Sequence, residues 1–454
     1  MRVKIFLFII VSSFLFLFGS GITLYPDSIE KGRKIVTIER TSILSIHEGI
    51  VSQSEDTIWI MRRKKVAGYV SLSKPVMVAQ ADRDEEWGFF QFPNIGKADD
   101  GTLVVTWHMK EDTHESYGKA PSRKYTPMMS KDNGITWCTL DRNYNLKEEG
   151  YNCHLDDGST LQIITPANKD IKSYNDFPKA VYSDGEYSYY QMKDIPTDLQ
   201  GVYLRSIDIN NQTKTVHATL DDPNLLRYAV GGQMPIVWWG NIRQLADKSL
   251  IAGVYPGIYL DKKKKAVNSG ISFYSSTDKG QTWYLRGRIP FRPDEVTEKN
   301  GVNSYQEPTF EVLTDGTLIC VMRTGSTSPM YRSFSYNYGK TWTKPKPFAP
   351  NGVLPWLKLL NNGVLVLFSG RPGVQIRFSI DGKGKKWTTP IEMLPYMNVD
   401  GTYTRDVSCG YTSILGVDDN TFYMVYSDFM TKNENGENRK AIMFRKIEVK
   451  KINK

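Results

Sequence analysis

The chain has 454 residues, including 26 Tyr, 19 Phe, 36 Gly and 22 Pro, and its formal net charge is +9. Abundant aromatic residues and turn formers favour strands over helices, and no long run has the 3.6-residue period of an amphipathic helix. The positive charge is scattered and is not interleaved with stacking aromatics, so nucleic-acid binding is not expected. The composition predicts an all-β protein with a large core.

The N-terminus has the pattern of a targeting segment. Arg2 and Lys4 precede an apolar run at 5–18, and small residues follow at 19–21. This order is typical of a secretory signal peptide, because the apolar run is short for a bilayer span. We expect a signal peptide over 1–21, a single domain over 22–454, and a periplasmic or secreted protein without stable membrane insertion. An uncleaved membrane anchor is the alternative.

A recurring unit follows along the chain. It runs from a Pro through a short strand, an Asp-Gly-like turn, an apolar strand, a loop and a further strand. Such turns between apolar runs are strong hairpin signals. Six copies predict six four-stranded antiparallel sheets arranged radially, as a six-bladed β-propeller, with residues 42–64 adding strands to the last or first blade. The copies lie at 92–108, 176–194, 233–255, 307–323, 354–371 and 409–427.

Four segments share the pattern S-x-D-x-G-x-T-W. The Asp can accept backbone N–H groups, the Gly can adopt positive φ, and the Trp can pack between sheets. A group repeated on several blades would be spread around the rim, whereas a reaction has one centre. We therefore assign these turns a structural role and expect them on the face of the propeller opposite the substrate pocket. They are residues 130–137, 276–283, 335–342 (with Asn337 for Asp) and 379–387 (with one extra residue).

The remaining short motifs carry little chemistry. The four cysteines lack metal-ligand spacing, and no metal or cofactor is expected. In an exported chain, Cys138 and Cys153 either pair as a disulfide or remain free thiols. The four lysines at 262–265 lie between two strand-like runs, so they predict a solvated hairpin tip.

Alignment of the units by their turn and second strand brings four side chains to equivalent positions. These are His108, Tyr255, Arg323 and Arg371, and we expect them to surround one opening of the propeller. Two arginines at one pocket suit a carboxylate ligand, because the guanidinium fork matches its geometry. The alternative is that each arginine pairs with a local acid on the rim.

Glu307 and Tyr411 are expected in the same region. Glu307 precedes Pro308 at the start of an innermost strand, and Tyr411 holds the matching place in the last unit. The carboxylate can take the phenol proton and make the tyrosine a nucleophile. A neutral nucleophile suits a substrate with a carboxylate on its reacting carbon, which would repel an acidic nucleophile. Alone, Tyr411 would be an ordinary core tyrosine; together with Glu307 and two arginines it predicts a catalytic site.

These features resemble the sialidase (neuraminidase) superfamily over roughly residues 80–445. The resemblance rests on the S-x-D turns, which look like its Asp-box or BNR repeat, and on QEPTFEVLTDGTLICVMRTG (306–325), SGRPG (369–373) and CGYTSI (409–414). It implies a six-bladed propeller that cleaves terminal sialic acids with retention through a tyrosine nucleophile. By resemblance, Tyr411 is the nucleophile and Glu307 its general base. Arg323 and Arg371 would be two of three arginines that hold the substrate carboxylate.

The chain departs from that family at two places. Gln91, in FQFPN (90–94), stands where the first carboxylate-binding arginine is expected, and it brings no charge. The general acid should come from the loop at 108–125, where Asp112 is the first candidate. His108, at the start of this loop, could bind substrate or move protons near neutral pH. The other candidates for the acid are Glu111, His114 and Glu115.

The sequence therefore predicts an exported, monomeric exo-glycosidase that acts on a terminal acidic sugar of a glycan. Sialic acid is the first candidate; another 2-keto acid or a uronate-containing end remains open because of Gln91. One alternative is a non-catalytic glycan-binding propeller. The other is a lyase or hydrolase on the same scaffold with a His and Asp centre.

Overall fold

The structure is a computed structural model that describes residues 47–54, 57–62, 65–116, 119–144, 146–148, 152–326, 328–395 and 407–452. Strands and turns dominate these residues, whose one α-helix is the short segment Glu295–Lys299. The predicted all-β class is confirmed. Within the described ranges no helix has the length and apolar character needed to cross a membrane. The predicted signal peptide at 1–21 lies outside the described residues and stays a prediction.

The strands group into an N-terminal set, six antiparallel four-stranded units and one inserted sheet. The N-terminal set is β1 (His47–Ser54), β2 (Thr57–Arg62), β3 (Lys65–Leu72) and β4 (Val76–Gln80). Unit 1 is β5 (Phe89–Lys97), β6 (Leu103–Met109), β7 (Met128–Ser130) and β8 (Cys138–Thr139), with β9 (Lys147–Glu148) paired to β5. Unit 2 starts with β10 (Asn152–His154) and β11 (Thr160–Ile164). The inserted sheet starts with β12 (Lys169–Asp170), β13 (Tyr182–Asp184) and β14 (Tyr187–Gln191). Unit 2 ends with β15 (Val202–Ile207) and β16 (Thr213–Asp221), and the inserted sheet with β17 (Leu226–Val230) and β18 (Gln233–Met234).

The second half of the chain is more regular. Unit 3 is β19 (Trp239–Gln244), β20 (Leu250–Leu260), β21 (Ala266–Ser276) and β22 (Thr282–Ile289). Unit 4 is β23 (Gln306–Val312), β24 (Leu318–Arg323), β25 (Met330–Ser335) and β26 (Lys346–Ala349). Unit 5 is β27 (Val353–Leu359), β28 (Leu365–Gly370), β29 (Val374–Ser379) and β31 (Ile391–Leu394), while β30 (Trp387–Thr388) pairs with β1. Unit 6 is β32 (Thr412–Gly416), β33 (Thr421–Lys432), β34 (Asn438–Lys451) and β4.

Apolar side chains pack between successive units. Buried clusters join units 2 and 3, 3 and 4, 4 and 5, and 5 and 6, and another joins unit 6 back to unit 1. Side-chain hydrogen bonds link innermost strands as well: Asn241 Nδ2 donates to Phe310 O at 2.8 Å, and Leu357 N donates to Thr309 Oγ1 at 3.0 Å. The number of units equals the number of blades that the sequence predicts, and their radial arrangement as six blades stays a prediction.

The N-terminal strands complete the last unit. Residues 76–80 pair with 441–444 of β34, and residues 68–72 pair with 447–451 of the same strand. The prediction that 42–64 add strands to this sheet is confirmed for β1 and β2, which extend it beyond β3. Residues 42–46, 55–56 and 63–64 lie outside the described residues.

One predicted unit was placed in the wrong sheet. Residues 176–194 do form a hairpin, with Gly185 at φ 58°, but its strands β13 and β14 belong to the inserted sheet. The inner hairpin of unit 2 instead turns at 156–158 and pairs 152–154 with 160–162. Both segments contain an Asp-Gly turn between strand formers, and this local signal is the same in either sheet.

The S-x-D turns have the predicted structural role. In the turn at 276–283, Ser276 Oγ donates to Asp278 at 2.7 Å, and Thr282 N donates to the same carboxylate at 2.9 Å. Trp283 is fully buried and donates its indole N–H to Gly280 O at 3.0 Å. The turns at 130–137, 335–342 and 379–387 repeat the Ser-to-Asp (or Asn) and Trp-to-Gly bonds.

The turns lie opposite the predicted pocket. In an antiparallel unit, the start of the first strand and the end of the second lie at one edge, and the turn after the third strand lies at the other. All four S-x-D turns follow the third strand of a unit. Glu307 lies near the start of β23 and Arg323 at the end of β24, so these two residues occupy the opposite edge.

Candidate active site

Three innermost strands begin with the same backbone feature. Phe92, Glu307 and Leu354 each precede a proline and have positive φ values of 49°, 40° and 36°. The strand register shifts at each of these places, as in a β-bulge. Non-glycine residues rarely have positive φ, and bulges re-aim side chains beside active sites. All three of these residues line one cavity.

We call this space the active cavity, and its volume is about 350 Å³. That volume lies within the range of small-molecule sites, roughly 300–1,000 Å³. Its lining joins charged groups to aromatic rings. The lining residues are Phe92, His108, Lys110, Asp112, Ser116, Thr165, Trp239, Tyr255, Glu307, Leu354 and Tyr411.

The Glu307 carboxylate is the centre of the polar contacts. Tyr411 Oη donates a short hydrogen bond to Glu307 Oε1, and Arg323 Nη1 donates to the same oxygen at 2.7 Å. Leu354 N donates to Oε2 at 2.8 Å. Burial works against the charge of Arg323, but the Glu307 carboxylate together with the Tyr411 and Tyr255 phenols outweighs it and raises the pKa of the guanidinium. The phenol of Tyr411 therefore has a proton acceptor in direct contact.

Trp87 connects Arg371 to Asp112. The Arg371 guanidinium carbon lies 4.9 Å from the centre of the Trp87 ring and 6.0 Å from that of Tyr411, and Nη2 donates to Cys409 O at 3.0 Å. The indole N–H of Trp87 donates to Asp112 Oδ2 at 3.0 Å. Arg371 thus lies over the face of Tyr411, and Asp112 is held at the same cavity by the same tryptophan.

The surroundings of His108 favour its neutral imidazole. Its Nδ1–H donates to Gly88 O at 2.7 Å, which leaves Nε2 as the proton-accepting nitrogen of the neutral ring. Burial lowers its pKa, although the bond to Gly88 O opposes this shift. The Phe92 ring lies between His108 and Tyr411, with centroid distances of 5.3 and 4.8 Å.

Lys110 supplies a further positive charge to the lining. Its Nζ donates to Ser116 O at 2.7 Å and to Lys119 O at 2.5 Å. Burial and the nearby Lys119 lower its pKa. Together with Arg371 it places positive charge beside the carboxylates of Asp112 and Glu307.

The structure brings together most of the residues predicted from the sequence. The hydrogen bond predicted between Tyr411 and Glu307 is present, and Arg323, Arg371, His108 and Asp112 surround that pair. Tyr255 also lines the cavity. Glu111 and Glu115 are exposed and lie outside the lining, and the side chain of His114 is not among those described.

Gln91 does not reach the cavity. It is fully buried, and its amide has no hydrogen-bond partner within the described part of the chain. The neighbouring Phe92 lines the cavity instead, because it is the residue before proline, like Glu307. The pre-proline register would have identified it from the sequence. No comparable sequence pattern pointed to Trp87 or Lys110 as residues of the site.

Two of the remaining expectations concern cysteines and metals. All four cysteines are free thiols, so the disulfide alternative for Cys138 and Cys153 is not present. Among the described residues, no group of three or more His, Cys, Asp or Glu side chains has an arrangement that could hold a metal ion.

Comparison with known proteins gives the fold but no family. No family model and no curated protein matches the chain. A solved protein of unknown function from Dyadobacter fermentans is similar, with 17% identity, a TM-score of 0.53, and coverage of 84% of this chain and 99% of that chain. A Hadza microbial sialidase has 14% identity, a TM-score of 0.43, and coverage of 80% and 65%. A Penicillium chrysogenum alpha-L-arabinanase has 16% identity, a TM-score of 0.45, and coverage of 82% and 98%.

Proposed function

We propose that this protein is an exported retaining exo-glycosidase that removes a terminal acidic sugar from a glycan. The observation that carries the proposal is the hydrogen bond from Tyr411 to Glu307 beside Arg323. A phenol is a weak nucleophile unless a base takes its proton, and here the carboxylate is already in contact. Asp112 in the same cavity provides a second carboxyl group for acid catalysis.

The proposed reaction has two steps. Tyr411 Oη bonds to the anomeric carbon as the glycosidic C–O bond breaks, its proton passes to Glu307, and Asp112 protonates the departing oxygen. Water then attacks the tyrosine-linked sugar and loses a proton to Asp112, while Glu307 returns the proton to Tyr411. Two displacements at one carbon give retention.

The charges favour an acidic sugar. Arg371 over the Tyr411 ring and Lys110 in the lining would attract a carboxylate near the reacting carbon. A neutral tyrosine avoids the repulsion that an acidic nucleophile would meet there. Sialic acid is the first candidate substrate, and another 2-keto acid or a uronate end is the next.

The test is Tyr411→Phe. The ring keeps its packing on Phe92, but the attacking oxygen is lost, so kcat should fall by about three orders of magnitude or more with little change in fold. Turnover is measured on fluorogenic sialosides and uronides and on acidic oligosaccharides. In the unmodified protein, mass spectrometry after reaction with a fluorinated acidic glycosyl fluoride should find the sugar on Tyr411.

Tyr423→Phe is the matched control. Its phenol donates to Asn133 at 3.3 Å and lies outside the active cavity, so turnover should persist. Full activity of the Tyr411→Phe protein on the true substrate would rule out the tyrosine mechanism.

A lyase is the second candidate, and the neutral His108 favours it. A proton-accepting Nε2 could remove the proton next to a uronate carboxylate, with Tyr411 protonating the leaving oxygen. The two reactions differ in their products, because a lyase leaves an unsaturated sugar that is lighter by one water and absorbs ultraviolet light. Mass spectrometry of the products separates them.

A further inference from the structure

A second cavity of about 360 Å³ lies beside the active cavity. One wall comes from β13, β14 and β17 of the inserted sheet. The other comes from β19, β20 and β21 of unit 3, including a part of the β20–β21 hairpin beyond the segment that pairs with β19. The inserted sheet and this hairpin extension are additions to the four-stranded units, so the repeat itself does not require them. We call this space the aromatic cavity.

Tyrosine rings dominate the inserted-sheet wall. Tyr182 and Tyr189 stack with ring centroids 5.4 Å apart, and Tyr187 and Tyr228 lie 5.9 Å apart. Tyr182 is 46% exposed, so part of this residue is accessible to a ligand. Rigid aromatic faces with a polar tip suit ligands that have both C–H and hydroxyl groups.

The two cavities share a wall. Trp239 and Tyr255 line both, sit opposite each other on β19 and β20, and stack with ring centroids 5.6 Å apart and 18° between their planes. The two cavities are therefore neighbours, and the Trp239 and Tyr255 side chains belong to both linings.

The two cavities differ in charge. The active cavity contains His108, Lys110, Asp112 and Glu307, whereas Asp184 is the one charged side chain among the described residues that line the aromatic cavity. The other polar groups there are the amides of Asn268 and Asn303 and the hydroxyls of serine and tyrosine. A neutral ligand with many hydroxyl groups fits this lining, and an anion does not.

We propose that the aromatic cavity binds the neutral sugar units on the leaving-group side of the bond that the active cavity would cleave. The binding of neutral sugars does not depend on the proposed function. The assignment of these sugars to the leaving-group side does rest on it, because in an exo-acting enzyme the glycan continues only from the leaving group. The substrate class is then an oligosaccharide with one terminal acidic sugar followed by neutral sugars. The acidic sugar lies over Tyr411, and the next units stack on Trp239, Tyr255 and the tyrosines of the inserted sheet.

Binding of neutral oligosaccharides tests this site without turnover. The probes are immobilised lactose, N-acetyllactosamine, cellotetraose and maltotetraose, and the protein is the full chain with Tyr411→Phe. We expect at least one of these probes to bind, and Tyr182→Ala to weaken its binding about tenfold, since one stacking face is lost. Tyr182→Phe, which keeps the ring, should restore binding to within about twofold.

Tyr284→Ala is the matched control, because Tyr284 is similarly exposed at 51% and lies outside both cavities. In the active protein, Tyr182→Ala should lower the ratio of kcat/KM on an acidic oligosaccharide to that on an aryl glycoside by about tenfold. If Tyr182→Ala weakens neutral-sugar binding but the unmodified protein hydrolyses none of the substrates, the result would support the site and refute the proposed function. Equal affinities of the Tyr182→Ala and Tyr284→Ala proteins, or no binding of any probe, would overturn the proposed site.

Discussion

Three hydrogen bonds hold Glu307, and they decide what the neighbouring arginine can do. Oε1 accepts from Tyr411 and from Arg323, and Oε2 accepts from Leu354 N. Arg323 therefore positions the carboxylate of Glu307, the proposed base, and balances its charge. The alternative raised by the sequence, an arginine paired with a local acid, applies to Arg323. Arg371, which bonds a backbone carbonyl, is the arginine with charge left for a substrate anion.

Substitution of Arg371 should therefore affect binding first. A charge-assisted contact is worth about 1.5–3 kcal/mol, so Arg371→Ala should raise KM for the acidic sugar about ten- to a hundredfold, together with any loss in kcat. Steady-state kinetics measures the split. Arg205→Ala removes an exposed arginine bonded to Gln162 and should leave KM unchanged. An unaltered KM for Arg371→Ala would exclude this arginine from substrate binding.

His108 should become charged only at acidic pH. Because its folded pKa is lowered by burial, the unfolded chain binds its proton first as pH falls below about 6.5. The unfolded state then holds more protons, so stability rises with pH through that window, and His108 makes no contribution above it. An NMR titration of the imidazole should give a midpoint below 6.5.

The neighbouring carboxylate provides a control for this titration. The charge of Asp112 raises the pKa of His108, so Asp112→Asn should move the midpoint to lower pH. A midpoint at or above 6.5 in the unmodified protein would contradict the assignment of a neutral imidazole.

At the scale of single elements, two repeated features have different roles at opposite edges of the units. The bulges before Pro93, Pro308 and Pro355 turn a side chain into the active cavity at one edge of the units. The S-x-D turns join the third and fourth strands at the other edge. The S-x-D turns thus repeat the same hydrogen bonds and stabilise one edge. The bulges carry a different residue in each unit, Phe, Glu or Leu, and so build one asymmetric site.

An S-x-D turn should therefore affect stability without affecting activity. Asp278 accepts from Ser276 Oγ and from the backbone N–H groups of residues 281 and 282, so Asp278→Ala should lower the free energy of unfolding by about 1–2 kcal/mol. Asp381 accepts from Ser379 Oγ and one backbone N–H and forms a partly exposed ion pair with Arg62 at 3.5 Å, so its alanine variant should lose less. Denaturant unfolding measures both, and a large drop in kcat for Asp278→Ala would contradict the structural role.

At the scale of the whole molecule, the two ends of the described chain are joined. β4 supplies the fourth strand of unit 6, and Val78 from it is buried in the cluster between units 6 and 1. Strands from the start of a chain that complete the last sheet remove an open edge and tie distant segments together. Stability should therefore depend on β4 in addition to β2 and β3, which bury Ile58, Ile60, Val70 and Leu72 in the cluster with units 5 and 6.

Two truncations separate these contributions. Removal of residues 1–80 deletes β4, so unit 6 loses a strand and the apolar contacts of Val78; removal of 1–74 leaves them in place. The shorter protein should melt at a clearly lower temperature and with a broader transition. Calorimetry of both proteins gives the comparison, and equal melting curves would show that β4 does not close the fold.

The sequence by itself determined the repeat, the strand class, the role of the S-x-D turns and the core of the site. Each of these follows from local chemistry: Asp-Gly turns, alternating apolar strands, and a Glu before Pro308 in register with other units. Glu307, Tyr411 and the arginines could be grouped because equivalent positions of a repeat meet at one opening.

Only the tertiary structure decided the rest. The hairpin at 182–191 has the same local signal as a blade hairpin, and only long-range pairing with β17 placed it in the inserted sheet. The orientation of Gln91 depends on a bulge that turns Phe92 into the cavity instead. The aromatic cavity joins side chains from Tyr182 to Ser304, whose separation in the sequence carries no period. Such contacts depend on how sheets pack, and packing is set by the whole chain.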